Sequence, residues 1–264
     1  MFEFLKRRRR ERLLAEPFPE EWRTIITKNV RYAARLSPVE FAELERLVRI
    51  FVAEKSFEGC GGLELDDEIR VTIAAQACLL LLNRDADVYP DLETVLVYPH
   101  AYRAPGGQRR GPVVMEPEER LGESWTRGLV VLAWDHVATA VNHMGGGHNV
   151  VLHEFAHQLD AEDGAVDGAP DLGARARYIG WARVFGEEYS ELARRLHDGR
   201  PSDIDPYGAT SPSEFFAVVT EMFFEKPRAL RSKHPDLYDE LAGFYKQDPA
   251  GVPHPPTPDP SSHR

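Results

Sequence analysis

Cysteine is nearly absent from this chain. Cys60 and Cys78 are the two among 264 residues, which excludes a disulfide framework, and their spacing makes no C-x-x-C metal pair. Cys78 falls in an apolar run and is expected to be buried. Cys60, beside Gly59, Gly61 and Gly62, is expected in a loop. Long hydrophobic runs are missing as well. Val71 to Leu82, the longest, is too short to cross a bilayer, and the short apolar start Met1 to Leu5 runs into basic residues, so neither a membrane span nor a secretory leader is expected. Positive charge is also in deficit. With 32 Lys and Arg against 43 Asp and Glu, the net charge of −11 argues against a general nucleic-acid binder. These absences point to a cytoplasmic protein.

The basic residues that do occur cluster once, at Lys6, Arg7, Arg8, Arg9, Arg10 and Arg12. Residues 1–15 are expected to be a basic, flexible terminus, solvated rather than packed, although such a block could also touch an acidic partner or lipid. Residues 248–264 are rich in proline and poor in apolar side chains, the composition of a disordered tail. Between them, 16–247 has the length and apolar content for one domain, arranged as two lobes around one cleft.

His153-Glu154-Phe155-Ala156-His157 is the stretch with chemistry in it. It has the form H-E-x-x-H. Val150, Val151, Leu152 and Leu159 frame it with the apolar contacts of a helix, and on a helix residues four apart share a face. Two imidazoles so placed can reach one ion. Zinc accepts them tetrahedrally and keeps a position for water, and Glu154 stands where it can take that water's proton.

The rest of the pattern is mostly helical. Ser37-Pro38-Val39-Glu40 is a capping-box start, followed by a stripe of Phe41, Leu44, Leu47, Val48 and Phe51. Val71 to Leu82 is apolar nearly all round, the mark of a central helix. Strands are expected at Thr94 to Tyr98, Gly111 to Met115 and Gly128 to Trp134, the last a candidate edge for an extended peptide. Tyr102 to Arg110 and Asn142 to His148 are expected loops, the second holding His143 and His148. A long helix is expected over 172–197, another over 215–224, and a last one around Leu237 to Tyr245. The fold class is therefore α+β: mainly helical, zincin-type, with a small mixed sheet and the H-E-x-x-H helix at the cleft.

Two histidines seldom hold catalytic zinc alone. A histidine six residues beyond His157 would extend the motif, but that position is Asp163. Asp163 is one candidate for the third ligand. Glu214 and Glu221, seven apart on a later helix, are two more. Ser211-Pro212-Ser213-Glu214 is itself a capping-box pattern, so Glu214 has a rival use, and spacing leaves the choice open.

The chain resembles the Mlc titration factor A family of zinc peptidases. The likeness lies in HNVVLHEFAHQLD (148–160), IDPYGATSPSEFFAV (204–218), FYKQDP (244–249), VYPHAY (97–102) and AAQACLLL (74–81). It implies one zinc ion per chain held by His153, His157 and Glu214, with Glu154 as general base. The metal-site half is also similar to the catalytic domain of anthrax lethal factor, which implies that Tyr207 steadies the oxyanion. Asp160 matches the motif's aspartate and shares the face of His153 and His157, where it can orient a ligand. The resemblance points to hydrolysis of a peptide or protein substrate, with a lean to aminopeptidase action. It also implies an alternative: a regulatory protein that binds and titrates a transcriptional repressor. A zinc-stabilised structural protein is disfavoured, because a structural site is normally closed by four protein ligands.

Overall fold

The computed structural model describes residues 2–100, 128–142 and 148–251. The chain opens with α1 (Phe2–Ala15) and α2 (Glu20–Asn29). The segment expected to be solvated and frayed is thus helical as far as it is described. Lys6 and Arg10 pair with Asp87, and Arg10 also grips both oxygens of Glu54. Arg49 donates to the carbonyls of Leu13 in α1 and of Glu16 and Pro17 just beyond it. These partners lie far along the chain, so local composition gives no sign of them.

The capping box at Ser37 is complete. The Ser37 hydroxyl accepts the Glu40 N–H, and the Glu40 carboxylate accepts the Ser37 N–H, opening α3 (Pro38–Glu54). Strand β1 (Ser56–Gly59) follows. Asp66 then caps α4 (Asp67–Leu79), whose residues Val71 to Leu79 are all buried. Strands β2 (Thr94–Tyr98) and β3 (Leu129–Ala133) complete a sheet ordered β1-β2-β3. Ser56 sits opposite Thr94, and Val95 opposite Val130. The expected sheet was mixed, whereas every pairing among the described residues is parallel. The connections explain this, because each is long enough for the crossover a parallel pair needs, and the first carries α4. The expected strand at Gly111 to Met115, the loop at 102–110 and His143 lie outside the described residues.

α5 (Trp134–Asn142) continues directly from β3. The motif helix, α6 (Val150–Asp160), follows. Then come α7 (Arg175–His197), a 3-10 turn at Pro206–Ala209, α8 (Pro212–Glu225), α9 (Pro227–Lys233) and α10 (Pro235–Tyr245). Among the described residues this is a mainly helical α+β fold with one small sheet. No described helix is long and apolar enough to cross a membrane.

α6 lies in the middle, packed against α4, β3 and α8. Its apolar side is fully enclosed: Val151, Leu152, Phe155, Ala156 and Leu159 are all buried. The Phe155 ring meets Tyr89 at 4.8 Å and Phe51 at 5.6 Å between centroids. That clamp fixes the helix's rotation and so the direction of its polar side. Truncating Phe155 to Ala is expected to cost about 3–5 kcal/mol of stability, read as a lower denaturation midpoint. A loss below about 1 kcal/mol would show that the surroundings collapse into the space.

A candidate metal centre

Asn149 starts the motif helix. Its side-chain oxygen accepts the N–H groups of Val151 and Leu152, each at 3.1 Å, satisfying two otherwise unpaired donors of the first turn. Asparagine immediately before an apolar helical run is a legible cap signal, yet the sequence reading passed over it. From that start, His153 and His157 fall on one face, with ring centroids 5.0 Å apart.

α8 supplies the opposite wall. Ser211 caps it by accepting the Glu214 N–H at 3.1 Å, which is half of the expected capping box. The other half is not made. Glu214 turns its carboxylate to the histidines instead, placing Oε2 3.0 Å from His153 Nε2 and 3.3 Å from His157 Nε2. The contrast with the complete box at Ser37 separates the two uses that the sequence left open. Among the described residues, His153, His157 and Glu214 form the one group of three able to hold a metal ion, with ligand atoms all within 4.8 Å of one another.

The other candidates fall elsewhere. Glu221 is on α8 but does not join the group. Its Oε1 meets His153 Nδ1 at 2.7 Å, and its other oxygen accepts the Asn149 N–H. Asp163 is remote in role, accepting the Ala165 N–H in the loop after α6. Asp160, fully buried, reaches His157 through an intermediary that sequence reasoning missed. The Ser213 hydroxyl stands 2.7 Å from Asp160 Oδ2 and 2.9 Å from His157 Nδ1. Ser213 sits inside the helix-start motif, where it looked like mere capping chemistry.

Asp160 is held in turn by the Gly168 N–H at 2.9 Å. Gly168 has φ +79°, and a Cβ there would lie 2.4 Å from the Pro212 carbonyl oxygen. Only glycine lets this loop approach the start of α8 so closely.

Tyr207 comes from the 3-10 turn, which Asp205 caps by accepting the Tyr207 N–H. The phenol donates to Glu214 Oε1 at 3.1 Å, and its ring lies 5.9 Å from the His153 ring. His148 stands 3.5 Å from Asp205.

The electrostatics favour a cation. Burial alone would lower the His153 pKa, but its bonds to Glu214 and Glu221 prevail and push it up to about 10. Burial would raise Glu214, yet the two imidazoles hold its carboxyl well below the usual carboxylate range. Glu154 is raised by burial, with both histidines opposing. If Nδ1–H of a neutral His153 donates to Glu221, its Nε2 lone pair faces a carboxylate oxygen. That contact is repulsive unless a proton or a metal ion lies between the two atoms.

Comparison with known proteins gives the family. The model of the glucose-regulated metallo-peptidase M90 family matches residues 4–246. An uncharacterised protein of Synechocystis sp. is 44% identical over 244 residues, covering 91% of this chain and 89% of that one. Mlc titration factor A of Klebsiella pneumoniae is 31% identical over 222 residues, 82% of each chain. Its counterpart in Serratia proteamaculans is 30% identical over 227 residues, covering 81% of this chain and 84% of that one. The chain belongs to the glucose-regulated metallo-peptidase M90 family.

Proposed function

We propose that this protein is a zinc-dependent peptidase in which His153, His157 and Glu214 hold the metal and Glu154 is the general base. The observation that carries this is the convergence of two imidazole Nε2 atoms and one carboxylate oxygen at 3.0 and 3.3 Å, with the Nδ1 sides already engaged. Zinc bonds of about 2.0–2.2 Å in a tetrahedron separate neighbouring ligand atoms by about 3.3–3.6 Å, close to the two separations from Glu214. The set of two histidines and one glutamate is the open type, with a position left for water. When bound, zinc supplies a water of lowered pKa and polarises the scissile carbonyl.

The chain's own groups do the rest. Glu154, next to His153 on the same helix, accepts the water proton and returns it to the leaving amine. Burial favours its protonated form and both histidines oppose this, so its basicity is set by its neighbours. Tyr207 has its hydroxyl beside the ligand carboxylate and would turn its O–H from Glu214 Oε1 to the developing oxyanion.

The Nδ1 partners should set how firmly the histidines bind. Glu221→Gln replaces a charged acceptor with a neutral one, and Ser213→Ala removes the link from Asp160 to His157. Each is expected to weaken zinc by about 10–100-fold in competition with a chromogenic chelator, Glu221→Gln more than Ser213→Ala. Unchanged affinity in both would mean that these bonds do not tune the site.

The direct test of function is mass spectrometry of a mixed peptide library incubated with zinc-loaded protein, beside Glu154→Gln. Cleavage by the parent alone supports the reading. Stepwise loss of N-terminal residues would make it an aminopeptidase, and internal cuts an endopeptidase. Absence of cleavage at full zinc occupancy counts against it and favours the second reading, a regulatory binder of a transcriptional repressor. That second reading rests on the name of the Mlc titration factor A relatives alone.

A further inference from the structure

The basic helix α1 has no part in the peptidase reading, yet its two sides differ in a way that needs explaining. At 100° per residue, Lys6, Arg10, Leu13 and Leu14 fall on one side. This side docks: Lys6 and Arg10 pair with Asp87 and Glu54, and the two leucines pack on the core. The opposite side carries Phe4, Leu5, Arg8, Glu11 and Arg12, with Arg9 on its flank, all exposed. Phe4 and Leu5 are 58% and 56% exposed, two of the few large apolar side chains left in water.

The charge on that outer side is not cancelled. Arg7 is paired with Glu11 along the helix. Arg8, Arg9 and Arg12 make no ion pair among the described residues; Arg9 donates to the Ala53 carbonyl, and Arg8 lies 4.8 Å from the Phe4 ring centre. Three uncompensated cations thus stand out on a chain of net charge −11. Arginines on a solvated helix would ordinarily be balanced by carboxylates in so acidic a protein. Here Glu11 is taken up by Arg7, and Asp87 and Glu54 are spent on the inner side, holding the helix down.

We propose that the outer face of α1 is a docking surface for an anionic lipid membrane. Acidic headgroups match the three arginines, and Phe4 and Leu5, in the same patch, match the boundary between headgroups and acyl chains. Those two apolar side chains favour a lipid surface over a polyanion such as RNA, which offers phosphates but no apolar layer to receive a leucine. The contact is peripheral, since no described helix can span a bilayer. It is also independent of the metal centre, which α1 does not enter.

The test is sedimentation of the full chain with vesicles of phosphatidylcholine alone and with vesicles of equal parts phosphatidylcholine and phosphatidylserine. Binding is expected only to the second, and it should fall as salt is raised, because the attraction is screened. The variant Arg8→Gln/Arg9→Gln/Arg12→Gln should lose on the order of a hundredfold in affinity, at roughly fivefold per arginine. Phe4→Ser/Leu5→Ser should also weaken binding while leaving every charge in place. All five side chains are exposed, and Arg9 alone among them bonds another element, so thermal midpoints should stay close to the parent, and Glu154→Gln should bind vesicles like the parent. Absence of binding to the anionic vesicles overturns the proposal. So does equal binding to neutral ones, or preferential capture by single-stranded RNA or polyglutamate that is indifferent to Phe4 and Leu5.

Discussion

Glu214→Ala is expected to strip the site of its metal. The carboxylate is the sole negatively charged member of the proposed ligand set, and the loss should exceed the roughly 10–100-fold typical of an outer hydrogen-bond partner. Metal content after dialysis should fall from one zinc per chain to a trace. The fold should survive, because the Ser211 cap on α8 uses the Glu214 backbone N–H and not its side chain. The metal-free protein offers a second measurement. His153 is pushed up to about 10 with Glu214 and Glu221 as partners, so its contribution to stability is fully present below the ordinary imidazole value of about 6.5. That contribution is lost as pH rises through about 10. Glu214→Gln removes one of the two carboxylates and should shrink this alkaline loss. Undiminished zinc binding by Glu214→Ala would reject Glu214 as ligand and return Glu221 and Asp163 to contention.

Glu154→Gln is expected to separate binding from chemistry. The amide keeps the size of the side chain but cannot take a proton, so turnover should drop by about 10²–10⁴-fold while zinc content is unchanged. Stability should hold or rise slightly, since burial disfavours the charged form of this carboxyl. In the parent, the base works only when deprotonated. Burial raises its pKa and a bound cation opposes that, so the acid-side fall in kcat/KM reports the balance between the two. Retained peptide hydrolysis by Glu154→Gln would remove Glu154 from the role. Loss of zinc from that variant would mean that it shapes the ligand set rather than the reaction.

These two variants also bear on how far a sequence can be taken. His153, Glu154 and His157 were legible because helical spacing and an apolar frame are local properties. Four residues make one turn, so the two imidazoles share a face wherever the helix is placed. Ser37 announced α3 for the same reason, and Val71 to Leu82 announced its own burial. The third member was not legible from spacing. Glu214 and Glu221 stand seven apart on one face, equally able to approach, and Glu214 also completed a credible capping box.

What decided between them was the way α8 crosses α6. At one contact the Glu214 carboxylate meets both Nε2 atoms, and two turns on, Glu221 meets Nδ1 of His153 from behind. The same crossing sets Ser213 between Asp160 and His157, a link that no linear pattern contains. Docking of α1 through Asp87 and Glu54, and the parallel pairing of the sheet, likewise depend on partners distant in the chain. By itself, then, the sequence determined α3, α4 and the motif helix, the buried centre and the two-histidine face, because each follows from periodicity within a few turns. The tertiary structure alone decided which carboxylate faces the histidines and which merely steadies one, because that depends on where two helices touch.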